Sequence, residues 1–231
     1  MDSHSGRINP VTTKTRRAEP KRPYHHGDLR AALIRAALSL IQERGVKGLA
    51  LSDAARLAGV SVAAPYRHFK DKEALIAEIA AEGFVLFRDA LARASRGHPE
   101  DKVRRLVEMG VAYVDFALKH RSHFKVMWES GIPKEKYPEL GQTAHEAYLL
   151  LEKAAFDLLP AAHPDRQQAL VSTAWSVVHG YAMLTLEGGL PAHGAQQSGR
   201  KLLRQSLHLL LDQFATGPTT KINSTKAALI V

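Results

Sequence analysis

The chain of 231 residues contains no cysteine. Disulfides and thiolate metal sites are therefore excluded, and the composition suits a reducing compartment such as the cytoplasm. No continuous apolar run approaches the roughly 18 residues of a membrane span. The first 23 residues, MDSHSGRINPVTTKTRRAEPKRP, carry no apolar stretch of the kind a secretory signal needs. Alternating apolar and polar residues, the mark of a half-buried strand, do not persist for any useful length, and no internal repeat is present. The nucleophile motif G-x-S-x-G, a phosphate-binding P-loop and the zinc motif H-E-x-x-H are all missing. His25-His26 and the pair His120 and His123 come without a carboxylate at helical spacing. No metal, no cofactor and no enzymatic activity are expected.

What is present is basic and helical. Lysine and arginine number 32 against 23 acidic residues, a formal net charge of +9. Such an excess favours a polyanionic partner, nucleic acid or an anionic surface. It is denser toward the N-terminus, where residues 1–90 hold 15 basic and 10 acidic side chains. Residues 1–23 read as a disordered basic arm that could add phosphate contacts. A membrane-surface role would need a long basic amphipathic helix, and the cations here are scattered or confined to the arm.

From Asp28, a candidate cap, apolar residues recur at helical spacing through Leu33, Ala36, Ala37, Leu40 and Ile41 to a stop at Gly45. A short second helix covers 51–59 and a third 62–69, with Gly59 at the turn and Ser61 as cap. Asp71 caps a long fourth helix that carries Leu75, Ile76, Ile79, Phe84, Phe87 and Leu91 and breaks at Gly97-His98-Pro99. Five more helices are predicted over about 101–120, 122–129, 138–159, 164–187 and 195–215. The tail from 217 reads as unstructured, and its apolar ending AALIV has no account.

Residues 50–72 carry the chemistry. A helix-turn-helix needs one helix packed across a second and a turn that tolerates tight geometry, with the second helix offered to the major groove. Ala54, Ala55, Ala58 and Val60 provide the small packing surfaces and Gly59 the turn. On a third helix, Phe69 belongs inside, while Ser61, Val62, Ala63, Ala64, Tyr66 and Arg67 belong to the DNA side. Arg67, the only long donor there, could pair with guanine O6 and N7 or with a phosphate. Val62 and Ala63 could meet thymine methyls, and Tyr66 and His68 could donate to phosphates. Lys70 and Lys72 stand where the next helix begins, suited to phosphate. Pro65 falls in the first helical turn, where its fixed φ and missing N–H are tolerated.

The stretch AALxLIQERG followed by AARLAGVSVAAPYRHFKDKEAL resembles the DNA-binding domain of the tetracycline-repressor (TetR) family of bacterial transcription regulators, over residues 28–76. The spacing Trp175-x-x-x-His179-Gly180 resembles the Trp-His-Gly subclass of the family's C-terminal domains. Two positions depart from the family pattern: Ala50 where Ser or Thr is common, and Pro65 in place of Leu or Ile. The resemblance implies an all-α homodimer with a three-helix helix-turn-helix domain over 24–76 and a helical effector and dimerisation domain over 77–216. Residues 217–231 would form the tail.

A cavity in such a fold would lie among the fourth to eighth predicted helices. Candidate walls are Phe84, Phe87, Met109, Tyr113, Phe116 and Phe124, joined by Met127, Trp128, Tyr148, Trp175, His179 and Met183. The set is apolar and aromatic, so an apolar or aromatic effector is expected. His179 reads more readily as a core imidazole bonded to a backbone carbonyl, and Gly180 could admit a second helix closely. Val177, Val178 and Tyr181 with Leu203, Leu207 and Leu210 form apolar faces for a two-fold four-helix interface. The expected function is a sequence-specific regulator, a repressor released from a palindromic operator by its effector. A ligand-independent architectural DNA-binding protein is the alternative.

Overall fold

The computed structural model describes residues 26–190 and 196–216, so the expected basic arm and the tail lie outside the described residues. Within them the chain is all-α, with eight α-helices and no strand. The order is α1 (His26–Arg44), α2 (Leu51–Leu57), α3 (Lys72–Arg96), α4 (Lys102–Lys119), α5 (Arg121–Glu129), α6 (Pro138–Leu158), α7 (Pro164–Leu186) and α8 (Gln196–Thr216). Two short 3₁₀ turns, Ala64–Arg67 and Lys134–Lys136, sit between α2 and α3 and between α5 and α6.

Helix α1 begins at His26, two residues before the expected cap, so Asp28 lies inside its first turn. Leu33, Ala37 and Ile41, four residues apart, are fully buried and point α1 at the core. Helix α2 starts at Ala50 with no side-chain cap, as that residue type dictates. It ends in a Schellman motif: Gly59, at φ 72°, donates to the Arg56 carbonyl, and Val60 donates to that of Ala55. A side chain at Gly59 would be strained, so the turn of the helix-turn-helix depends on glycine there.

The main departure from expectation is the third helix. Residues 62–69 form no α-helix; only Ala64–Arg67 winds, and it winds as 3₁₀. Pro65 explains this. Its ring disfavours the α conformation at Ala64, and its missing N–H removes the bond that would reach back to Ser61. The Ser61 carbonyl instead accepts the Ala64 N–H at 3.0 Å, a tighter turn, so Ser61 acts through its backbone rather than as a side-chain cap. The Pro65 carbonyl then accepts the N–H groups of both His68 and Phe69 at 2.9 Å.

Helix α3 starts on Asp71, whose carboxylate accepts the Ala74 N–H at 2.8 Å. It runs unbroken for 25 residues, about 37 Å at the α-helical rise. The expected domain boundary at 76/77 therefore falls inside one helix. Leu75, Ile76, Ile79, Phe84, Phe87 and Leu91 are all buried along it, against α4, α5 and α6. Helix α4 packs on α7 and α8, and a fork of two hydrogen bonds from Arg204 to Glu108 (2.7 and 2.9 Å) ties α8 to it. Arg204 beside Glu108 holds that carboxyl below its ordinary range. By length and mean hydropathy (1.2 over its most apolar window) α7 could cross a membrane. Its run is interrupted by Ser172, Thr173, Ser176 and His179, and one face is packed in the core through Leu170, Val171, Ala174, Val178 and Ala182.

Candidate nucleic-acid interface and effector cavity

At the turn after α2, what holds the backbone is hidden and what could read DNA is offered outward. Pro65 and Phe69 are buried, the latter to 2% exposure. Tyr66 is 61% exposed and Val62 49%, although both are large and carry apolar surface. Ser61, Ala63, Arg67 and Lys70 are exposed and Ala64 is half-buried. Arg67 has no ion pair or hydrogen bond among the described residues, leaving its five donors available. Neighbouring cations are already engaged. Asp53 pairs with Arg56 at 2.7 Å and with Arg44 at 3.3 Å, and Arg30 pairs with Glu78 and lies over the Phe69 ring.

Two candidates are placed differently from expectation. Lys72 donates to the Lys47 carbonyl at 3.1 Å, which ties the start of α3 to the loop after α1 rather than leaving the ammonium free. His68 is half-buried, and its Nε2 is enclosed with no partner among the described residues, so that nitrogen is not turned toward solvent.

The second site is a partly open cavity of about 310 Å³ framed by α3 to α8. Phe84 and Phe87 on α3, Met109 and Tyr113 on α4, Trp128 on α5, Tyr148 on α6 and Trp175 on α7 line it, all expected from sequence. Trp128 sits at the centre of the aromatic wall, with ring centroids 5.6 Å from Phe84, 5.6 Å from Trp175 and 5.2 Å from His179. Its buried Nε1 has no hydrogen-bond partner among the described residues. Lys134, at the rim, holds its ammonium 5.3 Å from the Phe84 ring centre, and His145 is exposed beside it.

Five expected wall residues do not line the cavity. Phe116 stacks on His120 at 5.0 Å, Phe124 is fully buried behind Tyr113, and Met127 fills the space left by Gly83. Met183 is half-buried elsewhere on α7. His179 turns to the Tyr113 hydroxyl, 2.8 Å from its Nδ1, and not to a backbone carbonyl. Burial lowers the His179 pKa, so its neutral imidazole is favoured, and burial pushes the Tyr113 phenol up. The pair is thus a neutral hydrogen bond between Tyr113 in the wall and His179 behind it.

Sequence reasoning missed the small and aliphatic half of the wall: Leu91, Leu106, Gly110, Gly141, Ala144, Ala147, Leu151 and Ala174 with Leu211. Short side chains opposite aromatic ones are what leave a void. The signal that could have found them is the run of Gly141, Ala144 and Ala147, which recurs every three residues along α6. Gly110 also lets α7 and α8 approach α4, since a Cβ there would stand 2.6 Å from Leu207 Cδ1 and 3.0 Å from Val178 Cγ1.

The residues expected at a dimer interface are divided. Val178, Leu203 and Leu207 are buried within this one chain, and Val178 and Leu207 line the cavity. Val177, Tyr181 and Leu210 are half-buried. The large apolar side chains left open on α7 and α8 are Leu184 (46% exposed), Leu202 (40%) and Leu209 (72%). Nothing lies within 4 Å of where a Gly180 Cβ would stand, so no helix among the described residues uses the approach that glycine allows.

Comparison with known proteins agrees with this geometry. Residues 33–79 match the model of bacterial regulatory proteins of the tetR family, and residues 106–210 match that of a tetracyclin repressor-like C-terminal domain. No curated protein matches the chain in sequence. Among solved structures, a protein of unknown function from Rhodococcus sp. RHA1 is 30% identical, with 82% of this chain and 98% of that one covered at a TM-score of 0.68. The fatty acid degradation regulator FadR from Bacillus halodurans is 17% identical (80% and 96% covered, TM-score 0.57). The TetR family transcriptional regulator PfmR from Thermus thermophilus is also 17% identical (78% and 97% covered, TM-score 0.57). At these identities the last two speak for the fold.

Proposed function

The chain belongs to the tetracycline-repressor family of DNA-binding regulators, and from that premise we propose that it is a homodimeric repressor, released from a two-fold operator by a small apolar or aromatic effector. The observation that carries this reading is the path between the cavity and the DNA-facing turn. Helix α3 contributes Phe84, Phe87 and Leu91 to the cavity wall, and its first residues follow the turn directly. A second link runs beside it. Glu73, in the first turn of α3, accepts from Lys136 Nζ at 2.6 Å and from Tyr137 Oη at 2.9 Å. Those two donors hold its carboxyl below the ordinary range. They belong to the same short segment as Lys134 at the cavity rim.

An effector that changes the spacing of α3 and α6 would shift the start of α3, and with it the reading turn. It must bind the DNA-incompetent arrangement more tightly; a tenfold release needs about 1.4 kcal/mol of differential affinity. Dimerisation is supported by the apolar residues open on α7 and α8. Only 28% of the most apolar window of α7 is buried in the single chain. Two-fold symmetry would then require two equivalent half-sites in the operator.

The test is selection of bound duplexes from a random pool at about 0.2 M salt, which suppresses non-specific contacts. A palindromic motif supports the reading and supplies a probe for effector-driven release. Enrichment without a motif would leave an architectural DNA-binding protein instead. In a Glu73→Gln variant, duplex affinity should persist while release by the effector weakens.

A further inference from the structure

A second concave site lies where α1 meets the corner between α4 and α5, with a volume of about 570 Å³. Its lining is chiefly basic and polar, where that of the first cavity is chiefly apolar. Arg35 on α1 and Lys119 and Arg121 at the corner line it, together with His120 and His123, and no carboxylate does. The three permanent cations have no ion-pair partner among the described residues, whereas Arg88 on α3 pairs with Glu146 and Arg204 on α8 with Glu108.

The site also holds the N-terminus of α5. Its capping residue, His120, supplies no side-chain cap for the first amides of the helix. Orphan amides at a helix start, with the positive end of the dipole, attract anions. Ser122, whose hydroxyl could have capped a free amide, instead donates to the Leu38 carbonyl at 2.9 Å and ties α5 to α1. His123 forms part of the wall and is 8% exposed; its buried Nε2 faces Glu82, 3.6 Å away and outside the site, and that contact holds the Glu82 carboxyl below its ordinary range. Burial, with His123 and Lys119 adding positive charge, lowers the His120 pKa.

Like charges gathered around free amides are stabilised by a counter-charge in their midst. We infer that this joint is a binding site for a small phosphorylated anion, which bridges Arg35 of α1 to Lys119 and Arg121 and clamps the DNA-binding helices to the effector domain. Arginine forks and helix amides both favour the tetrahedral oxygens of phosphate, and three cations around one concavity favour a di- or polyphosphate over a single charge. The inference does not depend on the operator or on the effector cavity.

Pyrophosphate in magnesium-free buffer is the probe, titrated calorimetrically into the full chain and read in parallel by thermal unfolding. The wild type should bind and gain Tm. Arg35→Ala/Arg121→Ala, both exposed positions, should lose about tenfold or more in affinity, while the remote exposed control Lys201→Ala should bind like wild type. Circular dichroism of the double variant checks that it folds. Absence of binding to the wild type overturns the inference, and so does an equal loss in the Lys201→Ala control, which would mark diffuse charge. The salt dependence of random-duplex binding separates the other source of phosphate. If the double variant lowers that slope by about two contacts and the wild type ignores pyrophosphate, the cluster grips the DNA backbone and the small-anion site is refuted.

Discussion

Around residues 61–70 the chain buries its supports and exposes its polar and aromatic side chains, and around the cavity it turns its aromatic side chains inward. At the turn, Pro65 and Phe69 are buried while Val62, Tyr66 and Arg67 face outward. At the cavity, Phe84, Phe87 and Trp128 turn inward around an empty volume, and the supports are whole helices. The turn is a few residues on one 3₁₀ winding; the cavity draws on six helices distant in sequence. One region therefore depends on a single well-seated anchor, and the other tolerates change in any one wall because the void absorbs it.

Removing the anchor should have the largest effect. Phe69→Ala is expected to cost about 3–5 kcal/mol of folding stability, as truncation of a buried aromatic does, and to abolish duplex binding. Thermal unfolding and a mobility assay read both. A loss under about 1 kcal/mol would show that Pro65 alone seats the turn.

The cavity should respond oppositely to being filled. Ala174→Leu places apolar bulk into the void and is expected to leave stability unchanged or raise it by about 0.5–2 kcal/mol. Stabilisation by any apolar effector should disappear while duplex binding persists. A clear fall in Tm would mean the wall is packed too tightly to count as a cavity.

Arg67→Ala separates display from support. Binding to the selected operator should weaken by about 1–3 kcal/mol with relaxed preference at one base step if the guanidinium reads guanine, and Tm should hold. Equal weakening on every sequence would assign Arg67 to a phosphate.

The smallest effect is a pH dependence confined to the cavity side. His179 is neutral when folded, with a lowered pKa, so its stabilisation is present above its unfolded pKa of about 6.5 and is lost as pH falls through the folded value. Tm should decline below about pH 6.5, with His120 adding to the slope. Tyr113→Phe removes the partner at Nδ1, should cost about 1 kcal/mol at neutral pH, and should change that slope. A slope indifferent to Tyr113 would place the titration at His120.

Helix boundaries were legible because they depend on neighbours in sequence. Asp71 caps α3, and Gly45, Gly59 and Gly188 end α1, α2 and α7 at positive φ. At the turn after α2 the exposed positions Ser61, Val62, Ala63, Tyr66 and Arg67 were legible for the same reason, while Ala64 and His68 are half-buried. The winding of that turn was not legible, because Pro65 does more than sit quietly in a first helical turn: through Ala64 and Ser61 it switches the segment to 3₁₀. The aromatic half of the cavity could be named, since aromatic residues recurring on one helical face are mostly turned toward the core. Which of them meet a void and which meet one another could not, because that depends on the neighbours that packing supplies: Phe124 meets Tyr113 of α4, Met127 meets Gly83 of α3, and Trp128 meets the cavity.

By itself, then, the order of residues determined most of the helices, the exposed side chains Val62, Tyr66 and Arg67 at the turn, and the family to which the chain belongs. These follow from local capping, backbone sterics and the 3.6-residue period. Only the tertiary structure decided that Gly141, Ala144 and Ala147 stand opposite Phe84 and Trp128 to leave a cavity, that Glu73 is held by Lys136 and Tyr137, and that Arg35 meets Lys119 and Arg121. Those meetings join residues tens of positions apart. They are set by how helices pack rather than by any spacing along the chain.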